Sequence, residues 1–309
     1  MSGGAFIMNL GYWGGMKIRL LGTGTPTPSL VRASSSYMVE IGDDLILFDH
    51  GPGGHWRLLE AGKQAVDVTH AFFSHLHYDH CLDYIRLVLN RWDQGGGLIP
   101  ELKVYGPAPI ERMTRLLFDK DGVFGPDLTA RTSHEGSLGY YQRRGGTLPR
   151  PWPNPLITEL DNGDVVEDNG WTVTTASVIH HQPYLTCYGF RLDSKDGSLA
   201  YSGDTGPCQA VVKLAKNCDV LIHMCQHISG TEIHPISAKT STGHRDLARI
   251  AAEANVKNLV ISHVTEQMDT PGVRERVIRE MGEDYAGNIF WGDDLMEIPL
   301  NDPMPRRLE

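Results

Sequence analysis

The residues best suited to chemistry in this chain form one short cluster of histidines and an aspartate. The cluster directly follows an apolar stretch and reads His75-Leu76-His77-Tyr78-Asp79-His80. With 14 histidines among 309 residues, three at fixed offsets are expected by chance in only about 0.03 chains of this composition. Imidazole nitrogens and carboxylate oxygens are ligands that zinc takes in proteins. The cluster therefore predicts a metal site.

The spacing within the cluster predicts two adjacent metal positions. Side chains alternate along a strand, so His75 and His77 would lie on one face, and the turn that follows would direct Asp79 and His80 to a neighbouring position. Two ions need more ligands than one loop supplies. Three isolated candidates stand where a predicted strand gives way to a loop, namely His181, Asp204 and His263. A carboxylate can bridge cations about 3.5–4 Å apart, which makes Asp204 the natural shared ligand.

The elements that must position these side chains are short strands followed by helices. Glycine and proline end a first strand at residues 22–26, and residues 36–41 and 44–48 predict a hairpin. Further strands are predicted at 71–74, 165–166, 171–176, 188–192, 199–202, 220–224 and 259–262. Helices are predicted at 56–61, 210–215, 246–254 and 272–281, and residues 289–299 read as a hairpin-like end. This order implies a layered α/β architecture.

Residues 90–155 differ in composition from the rest of the chain. Glycine runs and a cluster of prolines surround a predicted helix at 109–118. Long irregular segments in compact domains are usually functional or mobile, so we interpret this one as an insertion that covers the substrate. A disordered linker is the other interpretation. Its aromatic residues would either wall an apolar pocket or form the insertion's own core, and they are Trp92, Phe118, Tyr140, Tyr141 and Trp152.

Composition and charge exclude several classes of protein. The chain has 28 basic and 38 acidic residues, a net charge of −10, and 40% hydrophobic residues. This balance predicts a folded globular protein and disfavours generic nucleic-acid binding. No stretch approaches the roughly 18 apolar residues of a membrane-spanning helix. The five cysteines form no Cys-x-x-Cys pair, which argues against a disulfide framework. We expect a cytoplasmic protein in which residues 1–15 form a flexible arm.

Five motifs occur in the order typical of one protein family. They are Gly22-Thr23-Gly24-Thr25-Pro26, Phe48-Asp49-His50-Gly51, the cluster at 75–80, Ser202-Gly203-Asp204-Thr205 and Ser262-His263. The chain resembles the metallo-β-lactamase superfamily, and its spacing is most similar to the branch that contains ribonuclease Z and arylsulfatase-like hydrolases. The resemblance covers residues 17–299. It implies an α/β fold of the αββα four-layer sandwich type, with two Zn²⁺ ions at the edge of the two sheets.

The resemblance also implies which residues hold each ion. The first zinc would be held by His75, His77 and His181, the second by Asp79, His80 and His263, and Asp204 would bridge them. His180 directly precedes His181 and is the other candidate, but the His-x-Pro pattern at 181–183 favours His181. Asp49 matches a carboxylate that orients a ligating imidazole in the family. Its alternative role is that of a turn aspartate.

The mechanism implied by two zinc ions is hydrolysis by a hydroxide held between them. Zinc lowers the pKa of bound water to about 7, so the nucleophile exists at neutral pH. Asp79 and Asp204 would also relay a proton and count as catalytic. Relatives place a histidine before the helix that precedes the last ligand strand, whereas this chain has Ser241 there. His244 is the candidate that replaces it, and His234 is a second one, although each also fits a solvated loop.

The expected reaction is cleavage of an ester-type bond in a small molecule, which could be a carboxylic ester or lactone, a sulfate or a phosphodiester. One alternative is a ribonuclease Z-like endonuclease that processes tRNA 3′ ends and would contact phosphates through Arg143, Arg144 and Arg150. Another is a non-hydrolytic or iron-dependent redox member of the fold, although iron-dependent relatives carry a carboxylate in place of one histidine. A homodimer is expected only by analogy, and no membrane partner is expected.

Overall fold

The computed structural model describes residues 15–232 and 234–300. Residues 1–14 of the expected N-terminal arm lie outside this range. Two seven-stranded sheets face each other, and helices cover the outer face of each sheet. The four-layer α/β sandwich expected from the sequence is confirmed.

The first sheet combines an antiparallel half with a parallel half. In spatial order it contains Glu297–Ile298 (β14), Lys17–Gly22 (β1), Ser36–Ile41 (β2), Asp44–His50 (β3), His70–Phe72 (β4), Lys103–Gly106 (β5) and Leu156–Glu159 (β6). The hairpin of β2 and β3 agrees with the sequence prediction. From β3 to β6 the strands are parallel, so their carboxyl ends meet at one edge of the sheet.

The second sheet is built in the same way. In spatial order it contains Asn288–Trp291 (β13), Asn258–Ser262 (β12), Val220–Met224 (β11), Gly197–Tyr201 (β10), Tyr188–Ser194 (β9), Trp171–Ser177 (β8) and Val165–Asp168 (β7). From β10 to β13 the strands are parallel. Ligands in α/β sheets bind beyond the carboxyl ends of parallel strands, so this edge is where a site is expected.

The helices lie in two groups along the chain. The first group comprises Gly54–Glu60 (α1), Tyr78–Cys81 (α2), Tyr84–Gly95 (α3), Ile110–Phe118 (α4), Gly125–Ser133 (α5) and Glu135–Arg143 (α6). The second comprises Gln209–Leu214 (α7), Ser237–Thr240 (α8), His244–Glu253 (α9) and Val273–Asp284 (α10). None of these helices has the length and hydropathy that crossing a membrane requires.

Three hydrophobic clusters join the layers. The one between the sheets contains aromatic residues from both, and Phe72 and Phe190 lie with ring centroids 5.6 Å apart. The outer clusters pack α1, α3 and α4 on the first sheet, and α7, α9 and α10 on the second. Each fully buried large apolar side chain stabilises the fold by about 1.5–3 kcal/mol. The strands that carry the site are therefore packed on both faces.

Residues 90–155 differ from the insertion that their composition suggests. The predicted helix at 109–118 is present as α4, but β5 pairs with β4 and β6 and so belongs to the first sheet. The part between β5 and β6 lies outside the sheet, and it contains α4, α5 and α6. The four-residue strand β5 escaped detection because it lies between glycine- and proline-rich stretches that mask a short apolar alternation.

The predicted hairpin at 289–299 is wrong, because its two strands belong to different sheets. β13 extends the second sheet, whereas β14 pairs with β1 at the edge of the first. Between them, the Asp294 carboxylate accepts hydrogen bonds from the backbone N–H groups of Thr23 and Ala33. These contacts hold the connecting loop against the first sheet, so the chain crosses from one sheet to the other.

Candidate metal centre

Seven histidine and aspartate side chains converge at the edge where both sheets end. His75, His77, Asp79 and His80 lie on the loop and short helix after β4. His180 follows β8, Asp204 follows β10, and His263 follows β12. All but His77 are buried. We call these seven residues the ligand side of the site.

The ligand atoms of these residues form two adjacent groups. One group contains His75, His77, His180 and Asp204, and the other contains Asp79, His80 and His263; within each, the ligand atoms lie within 4.8 Å of one another. Asp204 Oδ2 also lies 3.5 Å from His80 Nε2 and 3.3 Å from His263 Nε2. Asp204 thus contacts both groups, which is the geometry required of a bridging ligand.

Four of the imidazoles are anchored through Nδ1, which leaves Nε2 for the centre. Nδ1 of His75 lies 3.0 Å from Ser74 Oγ, and Nδ1 of His263 lies 3.1 Å from Gln226 Oε1. The carboxylate of Asp49 holds Nδ1 of His80 at 2.7 Å. The backbone oxygen of Thr240 lies 2.8 Å from Nδ1 of His180. Such partners fix the tautomer and orientation of a metal-binding imidazole.

The structure places His180, rather than the expected His181, in the ligand group. His180 is 7% exposed, and its Nε2 lies 3.7 Å from Asp204 Oδ2. His181 is exposed, stacks on the ring of His180 at 3.9 Å, and has its Nδ1 3.3 Å from His77 Nε2. Two contacts fix this arrangement: the Gln182 side chain bonds the backbone of both His180 and Val178, and the backbone oxygen of Thr240 holds the His180 ring.

Asp49 is hydrogen-bonded to His80 and to two residues next to the ligand groups. Besides His80, its carboxylate accepts hydrogen bonds from the Ser74 backbone N–H at 2.7 Å and from the Tyr201 hydroxyl at 2.5 Å. Asp49 has φ of 56°, and His263 has φ of 50°. Left-handed backbone is costly for such residues and is characteristic of functional sites. The orienting role expected of Asp49 is consistent with these contacts.

Burial and mutual contact fix the charges of the ligand side. Burial would raise the pKa of Asp204, but His263 and His80 beside it hold that pKa well below its usual value. Burial lowers the pKa of His75 well below its usual value, and His80 lowers it further. Burial also lowers the pKa of His180 to about 4. His80 is the exception, because burial would lower its pKa but Asp204 and Asp49 beside it raise that pKa well above its usual value. Ionised carboxylates and neutral imidazoles are the states that bind metal, so metal binding would displace a proton from His80.

The donor set fits a pair of divalent ions. The buried Nε2 atoms of His80 and His180 have no hydrogen-bond partner among the described residues. Unpaired buried nitrogens are costly, and a cation between them and the carboxylates would satisfy both. Histidine and aspartate together, without cysteine, are typical of hydrolytic zinc centres.

The ligand side opens onto a cavity of about 430 Å³. Part of the cavity wall comes from the segments 226–232 and 234–241, which we call the loop side. The residues of the loop side that matter here are Gln226, His227, Glu232, Thr240 and Ser241. Gln226 and His227 were not singled out from the sequence, although they follow the buried strand β11 as the other site residues follow theirs.

The structure does not bring His244 to the cavity. His244 is 1% exposed at the start of α9, where its Nδ1 accepts the Ser229 N–H at 3.0 Å and its Nε2 contacts Glu280 at 2.8 Å. His234 is exposed on the loop and is not among the described lining residues. Ser241, at the position where the resemblance leads one to expect a histidine, lines the cavity but donates its hydroxyl to the Ser237 carbonyl.

The 90–155 segment does not line the cavity either. The Arg150 guanidinium stacks on Trp92 at 3.8 Å and on Tyr141 at 4.9 Å. Phe118 lies in the outer core cluster with Trp152 packed against it. Phe118 and Trp152 therefore pack on the first sheet rather than in a core of the segment alone, Trp92 and Tyr141 pack on Arg150, and none of the five aromatics lines this cavity.

Comparison with known proteins agrees with this geometry. The profile described as the metallo-beta-lactamase superfamily matches residues 30–263, which is most of the chain and includes every strand that a site residue follows. The chain belongs to the metallo-β-lactamase superfamily. As a member of this superfamily with ribonuclease Z relatives, it is a metal-dependent hydrolase.

Relatives in sequence cover nearly the whole chain. Ribonuclease Z of Mycobacterium sp. (strain KMS) is 28% identical over 93% of this chain and 96% of its own length. Ribonuclease Z of Methanosarcina acetivorans is 27% identical over 92% of this chain and 98% of its own. The ribonuclease Z branch named from the motifs is thus confirmed.

Solved structures share the fold at lower identity. The metallo-beta-lactamase fold protein YhfI from Bacillus subtilis has a TM-score of 0.71 at 19% identity and covers 92% of this chain and 99% of its own. Human tRNase Z, short form, has a TM-score of 0.63 at 18% identity and covers 93% and 100%. A diphosphatase from the PhnP family has a TM-score of 0.64 at 17% identity and covers 92% and 97%.

Proposed function

We propose that this protein is a dinuclear zinc phosphodiesterase that hydrolyses a small phosphodiester in its cavity. The observation that carries the proposal is the pair of ligand groups joined at Asp204 and opening onto one cavity. Phosphodiester cleavage is favoured over carboxylic ester or sulfate cleavage because relatives in sequence are named for ribonuclease activity.

Two sets of residues would each hold one ion, and one residue would contact both ions. His75, His77 and His180 would hold one zinc, Asp79, His80 and His263 the other, and Asp204 both. Bound zinc would polarise the phosphoryl group and supply a nucleophile at neutral pH by lowering the pKa of water. Asp49 and Gln226 keep His80 and His263 turned toward the centre, and the buried carboxylates Asp79 and Asp204 reduce the charge of the pair.

The charges around the cavity support a small substrate over a tRNA. No lysine or arginine is among the described residues that line it, and Glu232 places a carboxylate on its wall. Of the arginines considered for tRNA, Arg144 and Arg150 are both paired with Asp93 at 2.9 Å, and the Arg150 side chain is 3% exposed. A tRNA body would need several free basic contacts.

Processing of tRNA 3′ ends is the second candidate, since ribonuclease Z relatives match over nearly their entire length. The test is a panel of bis(p-nitrophenyl) phosphate, p-nitrophenyl acetate, p-nitrophenyl sulfate, a lactone and a tRNA precursor, each with the zinc-loaded protein and with chelator. We expect chelator-sensitive turnover of the phosphodiester whose kcat/KM changes little with salt.

The panel separates the candidates clearly. A site-specific cut in the tRNA precursor with steep salt dependence would replace the small substrate by tRNA, because each phosphate contact adds to the salt slope. Faster turnover of the acetate, lactone or sulfate would reassign the scissile bond. Visible absorption from bound iron would instead favour the redox alternative.

A further inference from the structure

One imidazole in the cavity belongs to neither ligand group and has a carboxylate partner. His227 lies just after β11, and its Nε2 is 3.2 Å from Glu232 Oε1. Both side chains line the same cavity as His77, Asp79 and Asp204. They are partly accessible, with 14% of the His227 side chain and 25% of the Glu232 side chain exposed. The pair therefore lines the same cavity as the ligand groups, which is the space that a substrate would fill.

The pair is held in place by the backbone around it. Glu232 Oε1 accepts a hydrogen bond from the Gly230 N–H at 2.8 Å, and this bond fixes the carboxylate that contacts His227. The backbone of His227 forms an isolated parallel β-bridge with Gly243, the residue that precedes α9. A Cβ at Gly243 would lie 2.8 Å from His227 Nε2 and 2.7 Å from Ser229 Oγ. The ring thus packs where only glycine leaves it room.

The Glu232 contact determines which nitrogen of His227 can act. Because Nε2 of His227 lies against the Glu232 carboxylate, Nδ1 is the nitrogen that remains for a ligand. None of the hydrogen bonds found among the described residues involves His227 Nδ1. An imidazole held by a carboxylate on one nitrogen is the arrangement that orients a proton donor or acceptor.

Cleavage of a phosphodiester needs such a donor when the leaving group is a poor one. The bond from phosphorus to the leaving oxygen breaks with its electron pair on that oxygen, and an alkoxide or phenoxide must then be protonated. The Ser241 hydroxyl donates to a carbonyl, and both nitrogens of His244 have protein partners. His181 also lines the cavity, but its Nδ1 lies against His77, and its described contacts include no carboxylate.

We propose that His227 is the catalytic proton donor of this phosphodiesterase and that Glu232 is its positioning residue. As the oxygen of water bonds to phosphorus and the leaving bond breaks, Nδ1–H of His227 passes its proton to the departing oxygen. The products are a phosphomonoester and an alcohol. Neutral His227 regains the proton that the attacking water releases to solvent. This inference rests on the proposed function.

The test is the dependence of kcat on the leaving group. The substrates are aryl methyl phosphates whose leaving phenols range from p-nitrophenol, which departs without a proton, to unsubstituted phenol. For His227→Ala we expect a loss of about 100-fold on the phenyl substrate and less than about threefold on the p-nitrophenyl substrate. Glu232→Gln should show the same trend more weakly. Zinc content should stay at the wild-type value in both.

Three further measurements distinguish a proton donor from a structural residue. Added imidazole should rescue His227→Ala on the phenyl substrate only. Gly243→Ala, which displaces the ring, should steepen the leaving-group dependence as His227→Ala does. His234→Ala on the same loop and His181→Ala, outside both ligand groups, should keep the wild-type dependence, since neither ring contacts Glu232 among the described contacts.

The outcomes are distinct. An equal loss on all substrates, or none, would overturn His227 as proton donor while leaving the phosphodiesterase intact. A steeper dependence in His181→Ala but not in His227→Ala would transfer the role to His181. If the zinc-loaded wild type cleaves no member of the series, the proposed function fails, and this inference fails with it.

Discussion

The ligand side of the cavity is held by burial, whereas the loop side is held by a few local contacts. Six of the seven ligand-side residues are at most 7% exposed, and four imidazoles have a fixed partner on Nδ1. On the loop side, His227 and Glu232 are partly exposed and depend on Gly230 and Gly243 for their position. A change on the ligand side must disturb the core, while a change on the loop side need not. The ligand groups are therefore fixed mainly by the buried side, although Gln226 and Thr240 of the loop side hold two of the imidazoles, whereas the His227–Glu232 pair depends on the loop side alone.

The largest effect that this contrast predicts is that of Asp204→Asn. The carboxylate lies between both ligand groups, so the amide loses the bridge and the charge that offsets two cations. Residues that only orient a ligand already contribute about 10–100-fold to metal affinity or activity, so we expect a loss in kcat of more than about 100-fold. Zinc content, measured by elemental analysis, should fall below two ions per chain.

Glu232→Gln is the matched control for this variant, because it makes a similar change of charge on the loop side. It should keep the wild-type zinc content. Two ions bound by Asp204→Asn with undiminished turnover would show that Asp204 is not a shared ligand, and the division between the two sides would then have no basis.

A sharper test uses adjacent residues. We expect His180→Ala to lower zinc content and to reduce kcat by about 10–100-fold, because it removes a buried nitrogen that faces Asp204. His181→Ala should retain both ions, since its side chain is exposed. Elemental analysis and kcat on one phosphodiester would decide the matter. The reverse ranking would restore His181 as the ligand.

The sequence was sufficient for the parts of the site that are local in the chain. His75 to His80 are contiguous, and Asp204 and His263 each follow a buried strand, so the cluster, the strand ends and the family resemblance together predicted their convergence. Which of the adjacent residues His180 and His181 belongs to the ligand group was not predictable in this way. It depends on the Gln182 side chain and on the Thr240 carbonyl, which lies 60 residues further along the chain.

The fold shows the same limit. The apolar stretches of β2 and β3 on either side of a glycine turn were predicted as a hairpin, but the four residues of β5 and the two of β14 were too short to be recognised as strands. Their pairing is decided by neighbouring strands. The His227–Glu232 pair was missed for a related reason, since it depends on a glycine that lies after α8.

The smallest expected effect concerns the support behind the ligand side. His50 follows Asp49 directly, is 0% exposed, and has Nδ1 3.1 Å from Ser36 Oγ. Burial lowers the pKa of His50 to about 3, and His55 lowers it further. The unfolded chain has a histidine pKa near 6.5, so between these values the unfolded state binds a proton that the folded state does not. Stability therefore falls as the pH drops below about 6.5, by up to about 1.4 kcal/mol per pH unit from this group.

His50→Asn removes the group that takes up this proton in the unfolded state, and it keeps a polar atom near Ser36. The variant should be less stable than the wild type at pH 7, and the difference should shrink as the pH is lowered from 6.5 to 4.5. Urea unfolding with chelator present in both proteins keeps metal binding out of the comparison. His134→Asn is the control, because His134 is exposed and Asn preserves its hydrogen bond to the Gly136 N–H at the start of α6. Parallel pH profiles for His50→Asn and the wild type would mean that His50 becomes protonated without unfolding, and the ligand side would then be less tightly held than its burial implies.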